Sequence, residues 1–198
     1  QTSALSTDQI FGLATEQVQA LTIQQAASLT TAQVRAFATA QVYALETSDL
    51  RGLSTSQVSA MFTSQIKALS NPQVAALSNP QVAALSTEQF AVVGVGNIST
   101  LSTQQILQLA SSTLRSIETE QILNITTEQI AALATSQISG FSAPQIRLFS
   151  SDQMLAIRTA QFAAMSTAQI SALRTEQVAG VRAGDMPALT STQLVSLT

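Results

Sequence analysis

Leu69-Ser70-Asn71-Pro72-Gln73-Val74-Ala75-Ala76 is followed without a gap by Leu77-Ser78-Asn79-Pro80-Gln81-Val82-Ala83-Ala84, the same eight residues again. Extended in both directions the phrase becomes Leu-Ser-Thr-x-Gln-Val-x-Ala, and its register never slips. Stepping by eight from Leu5 to Leu197 meets nothing but Leu, Ile, Val, Met and Phe. The beat survives Val93-Gly94-Val95-Gly96-Asn97, where the wording decays but Val93 and Leu101 keep their places, so 93–100 is a degenerate octad. A fixed short period marks a stacked repeat rather than a globular enzyme domain. The reading is one repeat array over 1–198 with 24 complete octads at 5–196. Both ends cut an octad in mid-phrase, which predicts a window of a longer protein.

Each position has its own chemistry. Position six is apolar throughout, with Ala26 the smallest, and position five is Gln in 20 octads, replaced only by Asp49, Asn97, Thr113 and Asp185. Position eight is small except at Val92, Gln108, Asn124 and Leu148, and position three is mostly Thr, Asn or Ser. This is a helix-start grammar. Thr at position three suits an N-cap, leaving Pro72, Pro80 and Pro144 at the first helical position, where a missing N–H costs nothing. A cap at position two is the alternative, making Ser6 and Gln9 a capping box with Leu5 stapled to Ile10. Either start predicts a helix of about six residues. Positions six and one then share a face, while small position eight lets a neighbouring backbone come close. Helices this short cannot stand alone, since isolated ones need roughly 12 to 15 residues, so stacking must hold them. Each buried side chain at positions one and six contributes about 1.5 to 3 kcal/mol toward that stacking.

Position seven sorts when octads are numbered alternately from Leu5. Arg35, Arg51, Lys67, Arg115 and Arg147 fall in even octads, and bulky Phe11, Tyr43, Leu107, Leu123 and Leu155 in odd ones. The fold expected is therefore all-α: a solenoid of very short helices, one per octad, with two octads per coil. Twelve such coils at a helix spacing of about 8 to 10 Å make an elongated rod roughly 100 to 120 Å long. The five bulky residues either add to core packing or form a rod–rod contact.

The recurrent Gln forms a structural ladder through Gln9, Gln17, Gln25, Gln33, Gln41, Gln57, Gln65, Gln73, Gln81 and Gln89. An exposed first-turn residue would hardly be so uniform, because Glu serves a helix start at least as well. The expectation is a partly buried amide that bridges to backbone groups of the adjacent coil or turn, with a purely local cap as the alternative.

Composition narrows function. Charged residues make up 10% of the chain, net charge is -3, and Lys and Arg are scattered, which argues against a nucleic-acid partner. There is no Cys, His or Trp, so zinc, haem and iron–sulfur centres lose their usual ligands and catalytic triads their usual members. The acidic residues are dispersed and read as helix-start charges rather than an acid–base pair. No apolar run is long enough to insert in a membrane. Gly94-Val95-Gly96 lacks the third glycine, the strand and the acid of a nucleotide loop. No catalytic, cofactor-binding or metal-binding residue is expected, and no cofactor.

Strings such as Leu69-Ser70-Asn71-Pro72-Gln73-Val74-Ala75-Ala76-Leu77 and Met165-Ser166-Thr167-Ala168-Gln169-Ile170 resemble the octapeptide arrays of very large secreted or surface proteins of proteobacteria, often labelled adhesins or haem-utilisation proteins. The haem label finds little here, since Tyr43 and four Met residues are the remaining weak axial ligands. The resemblance implies an extracellular or cell-surface stalk, adhesin segment or self-assembling fibre, with self-association end to end or laterally, or a host or cell-surface partner. A ligand- or peptide-binding solenoid module is the alternative; with aromatics at 4% of the chain, it lacks the usual anchors.

Overall fold

A computed structural model describes residues 2–197. Among them there is no strand. Each of the first 22 octads carries one α-helix of four to six residues, running in chain order from α1 (Thr7–Phe11), α2 (Thr15–Gln19), α3 (Ile23–Ala27), α4 (Thr31–Ala36), α5 (Thr39–Ala44) and α6 (Thr47–Gly52) to α22 (Thr175–Ala179). The next octad holds a 3₁₀ helix at Ala183–Ala188, and α23 (Ser191–Val195) follows. Contacts gather the chain into two compact units, Gln1–Leu101 and Ser102–Thr198, and the degenerate octad closes the first.

Every α-helix begins at position three, with position two as the N-cap. Ser54 is typical, with φ -70° and ψ 161°, its hydroxyl accepting the Gln57 N–H. The cap at position two is therefore the one used, and Thr at position three is the first helical residue. Pro72 and Pro80 move to the second, where their missing N–H is still outside the helical ladder. The corners need no special backbone. Leu53 (φ -63°, ψ 143°) and Ser54 are both extended, and no described residue has positive φ, so ordinary L-residues make every turn.

These corners close the coil after three helices, not two. Helix α1 packs on α4, α2 on α5 and α3 on α6, and the same step of three recurs within the second unit, as in α16 (Thr127–Ala132) on α19 (Ser151–Ala156). The expected coil of two octads is corrected to one of three octads. The physical reason is the corner: each is made by extended residues at position one and the N-cap, as at Leu53 and Ser54, and three such corners bring the chain back over the helix three octads earlier. Each unit accordingly holds four coils, and the rod length expected from twelve coils no longer follows.

The core is the inside of this three-sided coil. Position six is buried from Ile10 to Ile170 and position one from Leu29 to Met165. Larger side chains enter without breaking the pattern: Phe141 and Phe149, at position one of successive octads, meet edge to face with centroids 5.4 Å apart. Small position eight lies against position three of the helix beneath. A Cβ on Gly52 would stand 2.6 Å from Cγ2 of Ile23, and one on Gly140 the same distance from Cβ of Ser111, so coil spacing is set there by backbone approach.

Candidate functional site

The feature that most distinguishes this octad from a generic short helix is the Gln at position five, and its geometry is the same coil after coil. In Gln73, at the third helical position of α9 (Asn71–Ala76), Oε1 accepts the backbone N–H of Ser70 at 2.9 Å. Its Nε2 donates backwards by a full coil, to the carbonyls of Val42 at 2.9 Å and Leu45 at 2.8 Å. One amide thus caps the start of its own helix and also satisfies carbonyls at the corner between two helices of the coil below. The same pair of bonds is made by Gln41, Gln57, Gln65, Gln81 and Gln89 in the first unit. It recurs in the second unit, for example at Gln137, Gln161 and Gln177. Gln33 performs it on the chain's first turn, donating to Thr2 and Leu5 carbonyls. The two readings of the Gln, bridge and local cap, are both true because the amide has two ends.

Burial follows the bonding. The glutamines from Gln33 to Gln193 at position five are buried, whereas Gln9 and Gln17, with no coil of this chain beneath them, are exposed and Gln25 is half-buried. Those three keep the local bonds, Ser6 N–H to Gln9, Ala14 N–H to Gln17 and Thr22 N–H to Gln25. The sequence puts this first coil on equal terms with the others, but the bridge between coils begins only at Gln33.

Four octads lack the Gln, and three of their substitutes have bonding that reveals what the site requires. Asn97 is one methylene shorter and its Nδ2 reaches a single carbonyl, Leu69 at 3.1 Å. Asp185 cannot donate as a carboxylate, and Arg182 at position two supplies the donor instead. The guanidinium sends one N–H to the Ile157 carbonyl at 2.5 Å and another to Asp185 Oδ2 at 2.9 Å, while Thr159 donates to Oδ1 at 2.6 Å. Burial pushes the Asp185 pKa up, but the Thr159 and Arg182 hydrogen bonds and the nearby positive charge outweigh it, and the net shift is downward. Asp49 has no such help. Its position-two neighbour is Glu46, its side chain is buried, and Oδ2 has no partner. Burial raises its pKa, a hydrogen bond from Ser48 opposes this, and Glu46 adds to the rise. The Arg182 contribution was not legible at the sequence level, although an Arg at position two beside an Asp at position five was the available signal.

Position seven faces outward. Phe11, Tyr43, Leu107, Leu123 and Leu155 are 37% to 66% exposed, so none is core packing. Nor do they form one stripe: in the first unit Phe11 and Tyr43 sit in different helix stacks, and in the second Leu107 and Leu155 share a stack that Leu123 does not join. The basic residues at this position partly serve the joint between coils, with Arg51 donating to the Ala76 carbonyl at 3.2 Å and Arg115 to Gly140 at 3.3 Å. Glu88 and Glu128, early in their helices, have pKa values held down first by their own backbone N–H and then by the Ser86 and Thr126 hydroxyls. Among the described residues no three Asp or Glu side chains converge as a metal site, and no helix is long and apolar enough to cross a membrane.

Two segments, residues 42–79 and 151–181, match the ALTTAQ repeat family, whose name spells positions eight through five of the octad. The chain is similar to that family over these stretches, and both lie within regular parts of the array. No curated protein matches the chain.

Proposed function

We propose that this chain is a structural segment of a secreted or cell-surface protein, a stalk, adhesin segment or fibre body that spans distance rather than transforming a substrate. The observation that carries the reading is where the recurrent residues go. Leu and Val at positions one and six fill the core, Ser or Thr at position two caps, and Gln at position five bonds one coil to the next. The chemistry that defines the repeat is thus used to make one coil stack on another, which is what a protein selected for extension would repeat. The extracellular setting is supported by the resemblance to large bacterial surface arrays.

Self-association or docking on a host surface belongs to the same proposal, with the exposed Phe11, Tyr43, Leu107, Leu123 and Leu155 as the side chains available to a lateral contact. Antibody against the chain, applied to intact cells that produce it, should label their surface; labelling only after permeabilisation would overturn the location. Sedimentation of the purified chain over a range of concentrations should show reversible growth in mass. A constant monomer that retains a small molecule or peptide would favour a binding module instead.

A further inference from the structure

We propose that the Asp49 side chain is a neutral carboxylic acid in the folded first unit, and that its Oδ2–H donates to the backbone carbonyl of Leu21, standing in for the glutamine amide. The ladder's register identifies the acceptor. The bridging glutamines donate to the carbonyl 28 residues before them, as in Gln41 to Leu13 at 2.7 Å and Gln57 to Leu29 at 2.6 Å, and for Asp49 that carbonyl is Leu21. Asp is a methylene shorter than Gln, but Asn97 measures the reach of the shorter side chain. From the same position its Nδ2 contacts the carbonyl 28 residues back at 3.1 Å, and Asp has the same shape as Asn. The Leu21 carbonyl is therefore an acceptor facing a place where a donor belongs.

An ionised Asp49 would put a second acceptor there. Its Oδ2 is buried without a partner and the residue is 2% exposed, conditions under which a charge is expensive and a proton inexpensive. The other oxygen is weakly occupied, with Ser48 Oγ at 3.5 Å from Oδ1. No cation offers compensation. The two helices packed on α6, namely α3 and α9, carry no charged residue, and on its own octad the only charges are Glu46, which opposes ionisation, and Arg51, whose Nε is engaged by the Ala76 carbonyl. Asp185 is the contrasting case: Arg182 is beside it, makes the ladder bond itself, and lets that carboxylate keep its charge. The upward shift at Asp49 and the downward one at Asp185 agree with this assignment.

The test compares the native chain with Asp49→Asn, which keeps shape and supplies a permanent donor, by urea unfolding across the acid-to-neutral range. Near the ordinary aspartate pKa of about 3.9 the two should unfold together. As the pH rises the native midpoint should fall progressively behind, the gap widening for as long as the folded side chain keeps its proton and levelling off only above the pH at which it ionises. A gap that does not change with pH, or a variant less resistant than the native chain at neutral pH, overturns the proposal. Should the Asn variant fold poorly, Asp49→Gln restores the octad's own wording and carries the same comparison. Infrared spectra at pH 5 add a direct reading: the native chain should show a protonated-carboxyl stretch that Asp49→Asn lacks, and identical spectra in that region overturn the assignment.

Discussion

The octads around Asp49 and Asp185 make the same substitution at the same position and arrive at opposite solutions. At Asp185 the donor has moved to another side chain, with Arg182 reaching the Ile157 carbonyl and leaving the carboxylate charged and bonded on both oxygens. At Asp49 the position-two residue is Glu46, which brings no donor, and the buried, otherwise unpartnered carboxyl oxygen carries the proton proposed above. The difference teaches that the ladder demands a hydrogen-bond donor over the corner carbonyls, not a glutamine as such. Gln is the recurrent answer because one neutral side chain supplies that donor and a helix-start acceptor together, with no charge to desolvate.

Removing the donor altogether at a regular position gives the largest expected effect. Gln73→Leu orphans the Leu45 carbonyl and the Ser70 N–H, leaves the Val42 carbonyl with only the Leu45 N–H, and should destabilise the first unit by about 2–5 kcal/mol in chemical denaturation. A smaller effect should convert the second site into the first. Arg182→Ala strands Asp185 in a buried place, and because the Arg side chain is itself 49% exposed, the loss should be about 1–2 kcal/mol, measured by denaturation at neutral pH. Converting the first site into the second should do the reverse: Glu46→Arg places a guanidinium beside Asp49 and should gain about 1 kcal/mol at neutral pH. A loss instead would break the comparison.

The two sites should also respond to pH with opposite signs. Asp49, whose pKa is raised in the fold, contributes stability that is present below the ordinary aspartate value and is lost as the pH rises through its folded value. Asp185, whose pKa is lowered, contributes stability present above the ordinary value and lost as the pH falls through its folded value. Amide hydrogen exchange should follow each site separately. On acidification the Leu53 N–H, bonded to the Asp49 carbonyl, should gain protection, and the Asp185 N–H, bonded to the Arg182 carbonyl, should lose it. The smallest effect is the control in the first coil. Gln17→Leu removes only the exposed bond to the Ala14 N–H and should cost under about 1 kcal/mol in the same denaturation assay.

Much of this was legible in the residues, and the part that was not has a definite cause. Helix, cap, buried amide and close approach at position eight are local or nearest-neighbour properties, and each leaves its own residue type at a fixed place. The number of octads per coil leaves none. All three sides of the coil present the same core positions and the same ladder, so packing selects a period of eight and is indifferent to whether the coil closes after two or three. The alternation at position seven looked like such a mark, but Arg35, Arg51, Lys67 and Tyr43 project from the outer surface, where packing imposes no period. Their order does not report the turn angle at the corners. The Arg182–Asp185 partnership was hidden for a different reason: an exposed Arg near an Asp is usually a solvated surface pair, and the buried end of this one appears only when the coil below is in place.

The absence of any special residue at the corners makes length an editable quantity. Removing or adding one octad leaves every remaining corner, core position and amide bond chemically able to re-form, because the next octad brings the same eight-letter instruction. What changes is orientation: each later side chain at position seven moves to the neighbouring side of the coil. A genetic array of this kind can expand or contract one octad at a time while staying folded. Any surface feature that must occupy one line along a unit survives only edits of three whole octads, so selection on such a feature would show itself as a second, longer period in the alleles of the array.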